Sequence, residues 1–217
     1  MTNELEKSGG DKALAISAFV SSAVPWIGGP VSNVISGLVT ERKIDRVREV
    51  LTSLTEDLQN FRSDVSEEYV LTEEFEDLLD ETLRRVARER SEEKRNLYRG
   101  FLRIAVTIPE NGTYDRQIQI LQLLDQVTLG HMTILKALSQ PPGDPNNMMT
   151  GSPMNSLQKR INNLSREEIQ EHIEQTNALR LTNITSLMTM MTATGAEDLR
   201  HNVTALGQGL LNYVSLP

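Results

Sequence analysis

Between Ala13 and Thr40 the chain carries no charged side chain, and Pro25-Trp26-Ile27-Gly28-Gly29-Pro30 divides that run near its middle. Proline lacks the amide hydrogen that a helix interior needs, and glycine weakens a helix, so this hexapeptide ends one helix and begins another. The reading is a helix from about Lys12, capped by Asp11, to Val24, then a tight turn. A second helix follows with Pro30 or Val31 in its first turn. Each uncharged half is far shorter than the ~20 apolar residues that span a bilayer. Three uses fit such a hairpin: the buried central pair of a bundle, a device that enters lipid, or a contact with a second copy.

The residues that follow bear on all three. Arg42, Lys43, Arg46 and Arg48 form a basic cluster, and its first three members suit anionic headgroups if the hairpin enters lipid. Trp26, Ile27, Arg42, Lys43 and Arg46 are therefore the candidate membrane or partner contacts. Ile44, Val47, Leu51, Leu54, Leu58, Phe61 and Val65 follow 3-4 spacing, the stripe of a helix packed along a neighbour. Any part of it longer than the bundle covers is a partner surface.

Further helices are marked by their start signals. Thr72 precedes Glu73 and Glu74, and Ser91 precedes Glu92 and Glu93, which suits a cap and the positive end of a helix dipole. Their apolar faces run from Phe75 to Val86 and from Leu97 to Ala105. Arg84, Arg85, Arg88, Arg90, Lys94, Arg95, Arg99 and Arg103 are interleaved with acids, which reads as a solvated face laced with i,i+4 pairs. Pro109 to Thr113 is the expected domain boundary. Beyond it come a helix around Ile118–Leu124, one capped by Thr128, a loop at 141–147, and a capping box at Ser165 and Glu168. Leu181 to Val203 is divided between a β-hairpin and a helix, and Thr204 caps the last helix.

Composition narrows the chemistry. Without cysteine there is no disulfide, thiol nucleophile or thiolate-bound metal. A net charge of −8 argues against a general nucleic-acid binder, which needs a positive surface to displace counterions. The polar start, Met1 to Asp11, lacks the pattern of a secretory signal, so a cytoplasmic location is expected, with membrane association through the hairpin as its variant. The N-x-S/T sequons at Asn111, Asn163, Asn183 and Asn202 then read as chance matches. His131, His172 and His201 lie far apart with no second ligand at metal spacing, and His131 and His172 read as surface or boundary residues. Acid pairs such as Glu67/Glu68 and Asp77/Asp80 stand out in no way from a charged helix surface. Met148/Met149 reads as exposed loop and Met188/Met190/Met191 as core filler. No catalytic residue, metal or cofactor is expected.

The order from Gln119 to Val214 resembles a divergent winged helix. It has helix, helix, capped helix, wing region and a closing helix introduced by Val203-Thr204-Ala205-Leu206-Gly207. Leu123 to Thr128, with His131, Ile134 and Leu135, is similar to the first helix of such modules. Taken with Gly28-Gly29-Pro30 and the Arg42-Lys43 cluster, the chain resembles uncharacterised bacterial and phage-borne helical proteins. That resemblance implies an architecture and no activity. A DNA-reading winged helix places arginine and lysine on its recognition helix, whereas Arg166 to Glu174 here holds four glutamates. The expected fold is mainly α: a helical bundle over 1–108 and a winged-helix-like helical module over 109–217, in which 181–203 is either one short β-hairpin or a helix. The expected function is non-catalytic, an interaction or regulatory protein that self-associates or holds a protein partner. A membrane-perturbing effector and a DNA-binding regulator are the alternatives.

Overall fold

A computed structural model describes residues 31, 40–60, 65–107, 113–141, 152–187 and 198–214. Trp26, Ile27, nearly all of the 13–40 hairpin and both methionine clusters lie outside the described residues. Within them the chain is mainly helical, with nine α-helices and no strand. It divides into two compact units: Met1–Asp125 with Tyr213–Pro217, and Gln126–Asn212.

The first unit holds α1 (Glu41–Asn60), the single turn α2 (Glu67–Val70), α3 (Glu73–Arg88), α4 (Glu92–Thr107) and most of α5 (Tyr114–Gln126). α1 packs on α3 and α4, which also pack on each other. The apolar spacing explains this. Ile44, Val47, Leu51, Leu54 and Leu58 are all buried, as are Leu78, Leu79, Leu83 and Val86 of α3 and Phe101, Leu102 and Ala105 of α4. From Ile44 to Leu58 the stripe is thus covered inside its own bundle; Val65 is half-buried, and Phe61 lies outside the described residues. Thr40 lies in a bend whose carbonyl accepts from Lys43 and Ile44, so the helix begins at Glu41. It is described as far as Asn60, and Val65, the end of the expected stripe, is not helical. Thr72 caps α3 by accepting from the Phe75 amide at 3.3 Å, and Ser91 caps α4 by accepting from Lys94 at 3.1 Å.

The expected boundary at residue 109 lies upstream of the division between units. α5 belongs with the first unit because its side chains are tied there. The Tyr69 hydroxyl donates to Gln117, and Tyr98 donates to Asp125 at 2.8 Å. Burial raises the Tyr69 phenol to about 12.

The second unit contains α6 (Leu129–Ser139), α7 (Pro153–Arg160), α8 (Arg166–Ala178), a 3-10 turn (Arg200–Asn202) and most of α9 (Ala205–Val214). α6, α7 and α8 pack on one another around Ile134, Leu138, Met154, Leu157, Ile169 and Ile173. Each start is specified locally. Thr128 caps α6, Ser152 with Pro153 opens α7, and Ser165 and Glu168 close a reciprocal box on α8. Residues 181–187 are not helical. Thr182 and Val203 form one isolated antiparallel bridge, beside an Asn183 amide to Asn202 carbonyl bond of 2.9 Å. That bridge is short of a hairpin among the described residues.

Candidate functional site

Two surfaces carry concentrated charge, one in each unit. In the first unit a cleft of about 390 Å³ is formed by the last turns of α3, the first turns of α4 and the end of α5. Arg84, Arg85, Arg88 and Lys94 line it with Glu81, Glu89, Asp125 and Tyr98. Arg85 is locked: Nε donates to Asp125 Oδ2 at 2.8 Å and Nη1 donates to Glu81. Burial works against its charge, but those two carboxylates outweigh it and raise its pKa. The Tyr98 hydroxyl donates to Asp125 Oδ1, and burial, reinforced by that carboxylate, pushes the phenol upward. Lys94 Nζ donates to the Asp125 carbonyl at 3.1 Å.

Arginines further along α4 behave differently from the expected solvated face. Arg95 and Arg103 are each 8 % exposed. Arg95 Nη2 meets Glu49 Oε2 of α1 at 2.7 Å, and Arg99 Nε meets Asp57 Oδ2 at 3.2 Å. These are struts between helices. The i,i+4 reading does hold at Arg84, paired to Asp80 at 2.7 Å, and for the Arg85–Glu81 pair.

In the second unit the charge is on α8. Its Ile169, Ile173 and Thr176 face the core, while Glu167, Glu168, Glu171 and Glu174 are exposed. Glu168 is spent on the capping box; hydrogen bonds to Ser165 hold its carboxyl below the usual range. Glu171 and Glu174 accept from Gln175 and Gln170, neutral donors that leave their charge uncompensated. Beside this helix, Ile173, Ile184 and Leu187 floor a groove of about 200 Å³ that Gln170 and Glu174 also line.

The sequence-derived contact residues meet mixed fates. Trp26 and Ile27 lie outside the described residues. Arg42 is exposed and Lys43 half-buried on the first turn of α1. Arg46 instead crosses to α3, where Nη1 donates to the Ala87 and Arg88 carbonyls at 3.0 and 3.4 Å. These are terminal carbonyls without an intrahelical partner, and a cation there also opposes the negative end of the dipole. No helix among the described residues is long and apolar enough to cross a membrane.

His131 is no surface residue. It is 4 % exposed, its Nδ1 accepts from the Thr128 amide at 3.1 Å, and Nε2 lies 2.5 Å from Gln175 Oε1. That pair of contacts assigns the proton to Nε2. The His172 ring stands edge-on to it, with centroids 5.3 Å apart, two rings that sequence separation kept apart. No group of three or more histidines and carboxylates gathers at metal-ligand geometry among the described residues. No family model, curated protein or solved structure matches the chain.

Proposed function

We propose that the chain is a non-catalytic interaction protein whose second unit is a winged-helix-like module presenting α8 to a basic protein surface. Three observations support the architecture: a packed α6–α7–α8 trio, extended residues after α8, and a return at Val203 into a closing helix. In a DNA-binding winged helix the element in α8's place enters the major groove and needs cations there. Here its outer face carries Glu167, Glu171 and Glu174, and this is the observation on which the reading rests. Such a face repels phosphate and attracts lysine and arginine. The groove floored by Ile173, Ile184 and Leu187 would take an apolar side chain from the same partner.

The test titrates the full chain with a lysine-rich amphipathic peptide and with random duplex DNA at low salt. The peptide binds in a salt-dependent way, and reversing Glu167, Glu171 and Glu174 to lysine weakens it about ten-fold or more. Equal reversal of Glu73, Glu76 and Asp77 on α3 controls for bulk charge and leaves binding near the wild-type level. Binding that follows net charge alone, or a DNA shift by the unaltered chain, defeats the proposal. Light scattering against concentration shows whether the partner is a second copy.

A further inference from the structure

The cleft at the junction of α3 and α4 has a lopsided hydrogen-bond inventory. Its acceptors are largely committed: both Asp125 carboxylate oxygens take Arg85 and Tyr98, Glu81 takes Arg85, and Glu89 Oε1 accepts the Ser91 amide at 2.8 Å. Its donors are not. Arg88 lines the cleft, and its exposed guanidinium has no hydrogen bond or ion pair among the described residues. Lys94 spends one of three N–H bonds, on an uncharged carbonyl, and Arg84 spends only Nε, on Asp80 outside the cleft. Two cations without a carboxylate partner thus face one recess. The C-terminal carbonyls of α3, which would repel an anion, are covered by Arg46 and the Glu89 amide.

We propose that this cleft binds the phosphoryl group of a small phosphate ester, with Arg88 and Lys94 as its principal donors. A phosphoryl oxygen set offers acceptors alone, which matches a recess with spare donors, and guanidinium geometry suits two of its oxygens at once. The volume lies at the small end of ligand sites, enough for a mononucleotide and small for a nucleic-acid strand. The remaining Glu89 lone pairs suit sugar hydroxyls, so a phosphorylated sugar or nucleoside fits better than bare phosphate. The site lies wholly in the first unit and stands independently of the α8 proposal.

Calorimetry on the full chain with AMP, inorganic phosphate and adenosine tests it, beside co-sedimentation with phosphatidylcholine vesicles containing phosphatidic acid. AMP binds saturably, phosphate more weakly and adenosine not at all. Arg88→Gln and Lys94→Met each cost about ten-fold, the scale of a lost charge-assisted hydrogen bond, with unchanged circular dichroism. Both side chains lie at the surface, and Arg88→Ala serves if the glutamine variant compensates. Sedimentation lost in the same variants assigns the phosphoryl group to a lipid headgroup. Equal binding of adenosine and AMP, no saturable binding of any probe at millimolar concentration, or full binding by the double variant overturns the proposal.

Discussion

α4 and α8 are both helices of mixed charge, yet they spend it in opposite directions. In α4 the arginines at positions 95 and 99 turn inward to acids of α1, and Arg95 and Arg103 are almost out of solvent. In α8 the glutamates turn outward, and the polar groups left inside are neutral: Thr176 with Thr182 at 2.9 Å, and Asn177 around Ile184. The first unit is therefore braced by charge across helices and keeps cations spare at its cleft. The second is braced by neutral hydrogen bonds and leaves its charge in solvent. A buried ion pair is costly to form and costly to break on one side only. A neutral network is cheaper to bury but fails when one member leaves orphans.

The largest expected effect follows from that last point. Asn177 accepts from the Ile184 amide at 3.1 Å and the Thr182 hydroxyl at 2.7 Å, and donates to the Ile184 carbonyl at 2.8 Å. Ile184 is 7 % exposed, so Asn177→Ala strands both its backbone groups. Each costs about 1–3 kcal/mol, and the loss for the second unit is about 2–4 kcal/mol. Hydrogen exchange should show faster opening across α7 and α8 while α1, α3 and α4 keep their protection. Uniform loss of protection in both units would remove the contrast between them.

The first unit offers the reciprocal test. Glu49 is half in water while Arg95 is not, the side chains being 48 % and 9 % exposed. Glu49→Ala leaves a buried guanidinium without its carboxylate, whereas Arg95→Met leaves a carboxylate that water can solvate. The first costs about 1–2 kcal/mol, reduced from a fully buried pair by the exposure, and the second less than about 1 kcal/mol. Denaturant melts read the order. Arg95→Met costing more would mean that the guanidinium's bond to the Arg90 carbonyl, at 3.0 Å, matters more than the ion pair.

The arginines of α4 sit where periodicity, against residue type, puts them. Arg95, Tyr98, Arg99, Leu102, Arg103 and Val106 follow the i, i+3, i+4, i+7 spacing of one buried face. Periodicity alone places the arginines inside; residue type argued for water, and only the acids on α1 settle it. Their identity as partners is a tertiary fact. By contrast, Thr72, Thr128, Ser165 and Thr204 announced helix starts because a cap acts within three residues of its own chain. The cleft is half legible in sequence: Arg84, Arg85, Arg88 and Lys94 lie in one cationic run. Asp125 was out of reach, since Pro109 argued that α5 belonged elsewhere. Arg46 looked like a free cation because a helix end waiting for it lies 41 residues away in sequence.

The smallest effect tests whether the turn leaving α8 is as tightly specified as its bonds suggest. Arg180 is the single non-glycine residue with positive φ among the described residues, at 58°. The left-handed region costs an L-residue about 1–2 kcal/mol, because Cβ crowds the following carbonyl. Its backbone is nonetheless held at both ends: the amide donates to Asn177 at 2.9 Å, and the carbonyl accepts from Thr204 Oγ1 at 2.7 Å. The exposed side chain contributes no hydrogen bond among the described residues. Arg180→Gly removes the crowding and adds unfolded-state entropy of about 0.5–1 kcal/mol, so the net change is a gain of about 0.5 kcal/mol. Arg180→Val goes the other way by about 1 kcal/mol, since a β-branched residue is poorly tolerated at that φ. A glycine variant that melts lower would mean that the turn is not locked in the left-handed state. The orphan argument for Asn177, which assumes a fixed path from α8 to Ile184, would then lose its footing.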